Sequence, residues 1–163
     1  ADSRSSTENI LIETKTDKPG IDIRIKDGTK NESVHIPVIV TQSGLTDMTY
    51  NDFYIGDDCD VLIVAGCGIH NSGCETSQHD GIHTFYIGKN TKLRYVEKHY
   101  GDGDGKGERV LNPVTYVEQD ENSVCEMEMV QINDALNETA ACSSASTSPC
   151  SSTGRGSDSC DRT

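Results

Sequence analysis

The chain has 163 residues, of which 33% are hydrophobic, and it contains 6 Tyr, 2 Phe and no Trp. A compact globule of this length usually buries more apolar bulk, so the composition favours a repeat fold with a thin shared core or a partly disordered chain. The net charge of −13 disfavours nucleic acid and anionic membrane surfaces as partners, because both repel an acidic protein.

Targeting signals are absent from the sequence as it stands. No window approaches the roughly 18 apolar residues of a membrane span, and the polar residues 1–6 lack the apolar stretch of a signal peptide. The chain begins with Ala1, which we interpret as a start inside a longer or processed product. Seven Cys, an odd number without the dense spacing of a disulfide scaffold, indicate a reducing compartment, so we expect a cytoplasmic protein.

After a polar start at residues 1–9, which we expect to be flexible, the chain repeats itself about every 30 residues. Residues 53–64 superimpose without a gap on residues 85–96, and weaker copies open at Ile23 and Thr115. Each copy has an alternating strand, a polar turn and a second alternating strand, with the β-branched and aromatic residues that favour strands.

We therefore predict an all-β core over residues 10–132, built as a parallel β-helix, or β-solenoid, with coils of about 30 residues. No amphipathic helix interrupts this range, and strands that repeat without crossover helices suit stacked coils. An antiparallel sandwich, which also uses many short strands, remains the alternative. Pro37 is compatible only with an edge strand or a strand start.

The composition changes after Ile132. From Asn137 to Thr163 there is no Val, Ile, Leu, Phe, Tyr or Met. Such a segment cannot bury enough apolar surface to offset its ordering entropy, so we predict a disordered tail at 133–163. Its origin is either a reading-frame change or artificial gene end, or a natural disordered tail. In the first case Cys142, Cys150 and Cys160 are incidental.

The richest set of potential ligands lies between residues 67 and 83. Thiolate and imidazole groups bind zinc and iron–sulfur clusters, and His70, Cys74, His79 and His83 are our candidate metal ligands in this segment. Their spacing matches no closed zinc-finger pattern. The alternative is a wide loop in which the histidines are surface residues and Cys67 is a small buried residue at a strand end.

Two other patterns carry weaker signals. The run 102–108 alternates Asp and Gly, but Lys106 stands where a calcium loop needs Asp or Asn, and helices are missing on both sides. We predict a solvated glycine-rich turn there. Glu97 and His99 project the same way along a strand, although no pocket is visible in the sequence to make them an acid–base pair.

Several segments resemble one known family. Gly66-Cys67 at a strand end, His83 at the next coil and Leu93-Arg94-Tyr95 beyond it resemble the core of the SufB/SufD family of iron–sulfur cluster assembly scaffolds. The short, single-component SufB/SufD-like proteins of anaerobic bacteria are more similar still. The resemblance covers about residues 7–132 and is carried by residues 15–21, 33–38, 66–71 and 94–101.

The resemblance implies a right-handed parallel β-helix that pairs with a like SufB/SufD subunit, docks on a SufC-like ATPase and takes sulfur from a donor protein. It places Cys67 where the family has a cysteine thought to receive sulfur. The residues that hold the nascent cluster and bind the ATPase lie beyond the matched part. We therefore expect the Fe–S cluster to be transient on the intact assembly and absent from this fragment.

From these observations we expect an assembly scaffold and not an enzyme. The alternatives are a metal-dependent β-solenoid enzyme that uses the Cys67–His83 loop and a purely structural interaction module. We expect Cys67 at an exposed rim, with a pKa lowered by His70 or His83 if either is protonated. Cys59 falls at a turn, and Cys125 lies out of register with the inward positions.

Overall fold

The computed structural model describes residues 6–132 and the backbone of three short strands beyond them, at residues 136–137, 141–144 and 151–152. The described chain consists of strands and turns without a helix. The strands of the core are β1 (Ile10–Thr14), β2 (Gly20–Ile25), β3 (Lys30–Val40), β4 (Thr46–Ile55), β5 (Asp60–His70), β6 (Ser77–Ile87), β7 (Lys92–Asp102), β8 (Arg109–Leu111), β9 (Val114–Gln119) and β10 (Val124–Ile132). In the part of the chain that the structure describes, no helix has the length and apolar character that a membrane crossing requires.

The strands form two sheets that the chain visits alternately. One sheet pairs β2, β4 and β6 in parallel and continues from β6 to both β8 and β9, and the other pairs β3, β5, β7 and β10 in parallel. Four stacked coils result, which confirms the predicted parallel β-solenoid. The sandwich alternative is wrong, since the antiparallel pairing in the core is that of β1 with β2.

The register corrects the position of the last repeat. Ile23 pairs with Phe53, Phe53 with Phe85, and Phe85 with Val117, whereas Thr115 pairs with His83. The last copy therefore begins two residues later than predicted. A shift of two residues keeps every side chain on the same face, so alternation alone cannot distinguish the two registers.

The turn between the two strands of each coil is built from residues that tolerate a left-handed backbone. Gly28, Asp58, Asn90 and Asn122 occupy equivalent positions, with φ between 55° and 74°. Glycine has no Cβ to clash in this conformation, and Asn and Asp are the residues that adopt it most readily after glycine. This spacing of turns fixes where each coil changes sheet.

A column of small polar side chains follows these turns: Thr29, Cys59, Thr91 and Ser123, all buried. The Cys59 thiol donates to the carbonyl oxygen of Lys26 at 3.2 Å, and the Cys59 amide donates to the Thr91 hydroxyl at 3.0 Å. Burial raises the pKa of the Cys59 thiol. Cys59 thus has a structural role, in which its thiol takes the place of the hydroxyl group that the equivalent residues of the other coils carry.

The first coil of the solenoid has one covered strand and one edge strand. The antiparallel strand β1 covers β2 in the first coil, and β3, which contains Pro37, is an edge strand as predicted. The expected flexible start falls on residues 1–5, outside the described residues, and on 6–9, where the Asn9 side chain donates to Glu32 at 2.6 Å.

The predicted disorder of 133–163 lies mostly outside the described residues and stays a prediction. Three short strands are described there: β11 (Leu136–Asn137), β12 (Ala141–Ser144) and β13 (Ser151–Ser152). They pair in parallel with β8, β9 and β10. Cys142 falls within β12, whereas Cys150 and Cys160 are outside the described residues.

Candidate metal centre

The interior of the solenoid changes character along the strands. In β6 the inward residues Phe85 and Ile87 are apolar, whereas the preceding inward residues His79 and His83 are polar. In β7 the change runs the other way, from Leu93 and Tyr95 to Glu97 and His99. We call the buried residues of this second region the polar core: Asn51, Cys67, His79, His83, Glu97 and His99, each no more than 4% exposed.

Three side chains of the polar core bring different ligand atoms together. The parallel register of β5 and β7 places Cys67 beside His99, and Glu97 lies two residues before His99 on the same face. His99 Nε2 is 3.1 Å from Glu97 Oε1, and Cys67 Sγ is 4.0 Å from the same oxygen. One ligand atom from each residue lies within 4.8 Å of the other two. Among the described residues, this is the group whose geometry suits a metal ion.

Glu97 is a buried carboxylate between two imidazoles. Burial alone raises the pKa of a carboxyl group, but His83 and His99 outweigh it and lower the pKa of Glu97 to about 2. His83 Nε2 is 3.4 Å from Oε1, within ion-pair range but poorly aligned for a hydrogen bond. The polar core therefore carries a negative charge on Glu97 at neutral pH.

Asn51 orients the His83 ring, and Asn51 is itself oriented by the backbone of Ile21, two coils from His83. The backbone N–H of Ile21 donates to Asn51 Oδ1 at 3.2 Å, which turns the amide nitrogen of Asn51 toward His83 Nδ1 at 3.4 Å. An amide nitrogen only donates, so Nδ1 accepts and neutral His83 carries its hydrogen on Nε2, facing Glu97. This relay from Ile21 to Glu97 crosses three coils.

Several polar atoms of this region are buried without a hydrogen-bond partner among the described residues. They are Glu97 Oε2, His99 Nδ1, His83 Nε2 and the Tyr95 hydroxyl. Buried polar atoms are nearly always hydrogen-bonded, and each one left open costs about 1–3 kcal/mol. Four open atoms in one buried region are what a site for a small ligand or cation would leave in its absence.

Cys67 is not at an exposed rim. The strand β5 continues to His70, and Cys67 points inward with only 3% of its surface exposed. Burial, followed by the charges of Glu97 and Asp47, raises the pKa of the Cys67 thiol to about 12. The expected lowering by His70 or His83 is therefore wrong, and Cys67 is a neutral thiol at neutral pH.

The predicted ligand set does not form one group. The loop between β5 and β6 is only residues 71–76, so His79 and His83 lie buried in β6, while His70 and Cys74 are exposed. His79 Nδ1 is 2.8 Å from Asp47 Oδ2, and His70 Nδ1 is 3.4 Å from Asp102 Oδ2. Of the residues in the 67–83 segment, Cys67 alone belongs to the triple with Glu97 and His99.

Glu97 and His99 were visible in the sequence as a pair on one strand face, but their importance was missed. The signal was their position: both continue the inward series of Leu93 and Tyr95, where a polar residue must be paired or functional. Gly81 adds a second signal. A Cβ at Gly81 would lie 3.0 Å from His83 Nε2, so glycine keeps this part of the interior open.

The glycine-rich turn is closed by an arginine. The Arg109 guanidinium donates to the carbonyl oxygens of Asp102, Asn71, Gly103 and Gly105. A cationic side chain thus satisfies four backbone oxygens around this turn. The turn is solvated as predicted, since Asp102, Asp104, Lys106 and Glu108 are exposed. Its glycines allow a close packing of backbones, because a Cβ at Gly105 would lie 2.3 Å from the carbonyl oxygen of Gly73.

A serine, a histidine and a carboxylate also meet on the surface beside this turn. Ser72 Oγ is 3.0 Å from His70 Nε2, and Asp102 contacts the other ring nitrogen. The side chains of His70 and Asp102 are 47% and 76% exposed, so water competes for these contacts. Because the polar core is shielded from such competition, it is the stronger candidate site.

Three comparisons with known proteins, against protein-family models, curated proteins and solved structures, found no match to this chain.

Proposed function

We propose that this chain is a scaffold component of iron–sulfur cluster assembly of the SUF type, in which Cys67 receives sulfur. The observation that carries the proposal is the buried grouping of the Cys67 thiol with the Glu97 carboxylate and the His99 imidazole. The resemblance of residues 7–132 to the SufB/SufD family supports it. The iron–sulfur cluster is then the cargo of the assembly, built and passed on.

The sulfur step follows ordinary persulfide chemistry. The Cys67 thiolate attacks the outer sulfur of a donor persulfide, R–S–SH, and forms Cys67–S–SH. The donor's sulfur–sulfur bond breaks, and the donor leaves as a thiolate that takes up a proton. Burial then protects the new persulfide from water and oxidants, which an exposed site does not do.

Two features of the structure control access to Cys67. Its high pKa means that the thiol must lose a proton before it can attack. The gap beside it is bordered by Leu111, Asn112 and Pro113 and is closed even to water-sized molecules. Sulfur transfer therefore requires the connection between β8 and β9 to move aside.

The partners of the proposed scaffold are those that the resemblance implies: a sulfur donor protein, a like SufB/SufD subunit and a SufC-like ATPase, in the cytoplasm. The chain binds and positions its cargo and does not turn over a substrate. The ATPase-binding region belongs to the part of the family that residues 7–132 do not match.

Persulfide mapping tests this function. The full chain is incubated without oxygen with a cysteine desulfurase and L-cysteine, and mass spectrometry locates the added sulfur. We expect it on Cys67, lost in Cys67→Ser and retained in Cys125→Ser, a matched change of another buried cysteine in the same sheet. Sulfur on Cys59 or Cys125 with an unmodified Cys67 would contradict the proposal.

The open atoms Glu97 Oε2 and His99 Nδ1 also favour a second candidate, a metal-dependent β-solenoid enzyme. The Cys67–His83 loop does not exist in the form first expected, so this enzyme would use the polar core. Persulfide mapping separates the two functions. Sulfur on Cys67 supports the scaffold, whereas a metal-loaded chain that takes no sulfur on Cys67 supports the enzyme.

A further inference from the structure

We propose that Cys67, Glu97 and His99 bind a single divalent transition-metal ion of the zinc and ferrous-iron class. The three residues are between 1% and 3% exposed, and their ligand atoms lie within 4.8 Å of one another. Ligands of one such ion stand about 2.0–2.3 Å from it, so small side-chain rotations bring the three atoms to the required distance. The inference deepens the proposed function, but only its consequence for sulfur transfer rests on that function.

The open atoms give an independent reason for a cation at this place. Glu97 Oε1 already faces His83 and His99, which leaves Oε2 without a partner, and His99 Nδ1 is equally unpaired among the described residues. Both atoms carry lone pairs, so a hydrogen-bond donor or a cation satisfies them. The polar core contains no Lys or Arg to do so, and the Tyr95 hydroxyl beside Glu97 can donate to the carboxylate but leaves His99 Nδ1 open.

Charge balance favours a divalent ion. Glu97 supplies one negative charge, and binding of the ion displaces the proton of Cys67, which supplies a second. The exchange is balanced: the ion and the thiol give a metal thiolate and one released proton. The ion with its two anionic ligands is then neutral overall, which is the state that a dry interior tolerates best.

The ligand types select the class of ion. Magnesium and calcium prefer oxygen ligands, whereas a set of one thiolate, one imidazole and one carboxylate suits zinc and ferrous iron. Three protein ligands leave a fourth position open. His83, oriented by Asn51 and 3.4 Å from Glu97 Oε1, would be an outer partner of the carboxylate.

The consequence for the proposed function is an order of events. A bound ion would hold Cys67 as a thiolate, because metal binding displaces the thiol proton. Metal binding would therefore precede sulfur transfer, and the sulfur would still be added to Cys67.

Cobalt(II) is the probe for this site, because a cobalt–thiolate bond produces a near-ultraviolet charge-transfer band. The experiment uses the full chain with Cys74, Cys142, Cys150 and Cys160 changed to Ser, so that only the buried cysteines remain. We expect the band to saturate at about one equivalent of Co²⁺. Cys67→Ser abolishes it, and Glu97→Gln weakens Co²⁺ binding about tenfold or more.

Cys125→Ser and Cys59→Ser are the controls and keep the band. Circular dichroism checks that each variant is folded. If a variant does not fold, the chain that carries only the four Cys→Ser changes still tests Co²⁺ binding by native Cys67 and Glu97. A band that persists in Cys67→Ser, or no band in the background chain, overturns the inference. The cobalt titration contains no sulfur donor, so its result is independent of the persulfide mapping. If Co²⁺ binds but the mapping finds no persulfide on Cys67, the proposed function alone is wrong. If the mapping finds persulfide on Cys67 but Co²⁺ does not bind, the metal-site inference alone is wrong.

Discussion

The same strands line two different interiors. At one side of each coil, Phe53 and Phe85 stack with ring centroids 4.3 Å apart, and Tyr95 packs edge-on against Phe85 at 4.8 Å. At the other side, only a few residues along the same strands, Glu97 and His99 occupy inward positions. The ladder of β5 and β7 is continuous through both regions, whereas that of β6 with β8 and β9 is interrupted at Asn112 and Pro113.

This contrast shows what the stacked coils supply and what they do not. The ladder places each residue of one coil beside its equivalent in the next, whatever its side chain. In the apolar region this stacking buries hydrocarbon and contributes stability. In the polar core it concentrates groups that are costly to bury, which a protein retains where they bind or react.

We expect the largest change in the free energy of unfolding from a substitution in the apolar region. Phe85→Ala removes a ring that is fully buried between Phe53 and Tyr95, so we expect a loss of about 3–5 kcal/mol in the free energy of unfolding. Denaturant unfolding measures it. Tyr116→Ala is the control, since Tyr116 is 46% exposed, and its loss should stay near 0.5 kcal/mol. Equal losses would show that the described core is not the stabilising one.

The next effect concerns the charge of the polar core. Glu97→Gln keeps one oxygen for the imidazole N–H groups but removes the negative charge that faces them, so we expect a loss of about 1–3 kcal/mol at pH 7, smaller than that of Phe85→Ala. The exposed carboxylate of Glu126 offers the matched control, and Glu126→Gln should change the unfolding free energy by less than about 0.5 kcal/mol.

The pH dependence of the Glu97→Gln difference has a definite sign. The pKa of Glu97 is about 2 in the fold, against an ordinary value of 4.5, so the unfolded chain binds this proton more readily. The advantage of the native protein over the variant is thus complete above pH 4.5 and shrinks as the pH falls toward 2. Unfolding curves of both proteins across this range measure it. A difference that grows on acidification would place Glu97 in another environment.

The rates at which buried and exposed cysteines react with a labelling reagent test the same comparison. In metal-free protein at pH 8, we expect iodoacetamide to label Cys67 at least about a hundredfold more slowly than Cys74, because Cys67 is buried and Cys74 exposed. The raised pKa of Cys67 adds to this protection. Mass spectrometry of the labelled peptides measures both rates, and the denatured chain is the control. Equal rates would mean that the connection at Asn112 and Pro113 opens freely.

Much of the fold was predictable because each copy carries the same local signals. The gapless match of residues 53–64 with 85–96 was sufficient to predict the parallel coils, and Pro37 was correctly expected at an edge. The last copy was misplaced because a period-two pattern is unchanged by a shift of two residues. Cys125 was assigned outward for a different reason: the predicted copy aligned it with Arg94, one residue from its true partner Leu93, and a shift of one residue changes the face.

The site was harder to predict because it depends on where β5 ends. The run Gly66-Cys67-Gly68 suggested a strand end, but the ladder with β7 continues to His70. Gly68 is needed inside the strand, since a Cβ there would lie 2.1 Å from the Tyr100 ring. Once β5 is extended, the register of 32 residues places Cys67 beside His99. Local composition does not contain that information, because the reason for the glycine lies in the next coil.

The smallest expected change is the relocation of one hydrogen atom in the polar core. In the native protein Asn51 donates to His83 Nδ1, so the ring hydrogen lies on Nε2. Asn51→Asp keeps the acceptor for the Ile21 amide but replaces the donor with a carboxylate oxygen, which draws a hydrogen onto Nδ1. Nitrogen-15 NMR of the imidazole in metal-free protein distinguishes the two states. Asn122→Asp, the same change in a surface turn, should leave the His83 signals unmoved, because Asn122 contacts Asn90 and not the polar core. A native His83 that already carries hydrogen on Nδ1, or one that does not respond to Asn51→Asp, would show that Glu97 is held by His99 without this relay.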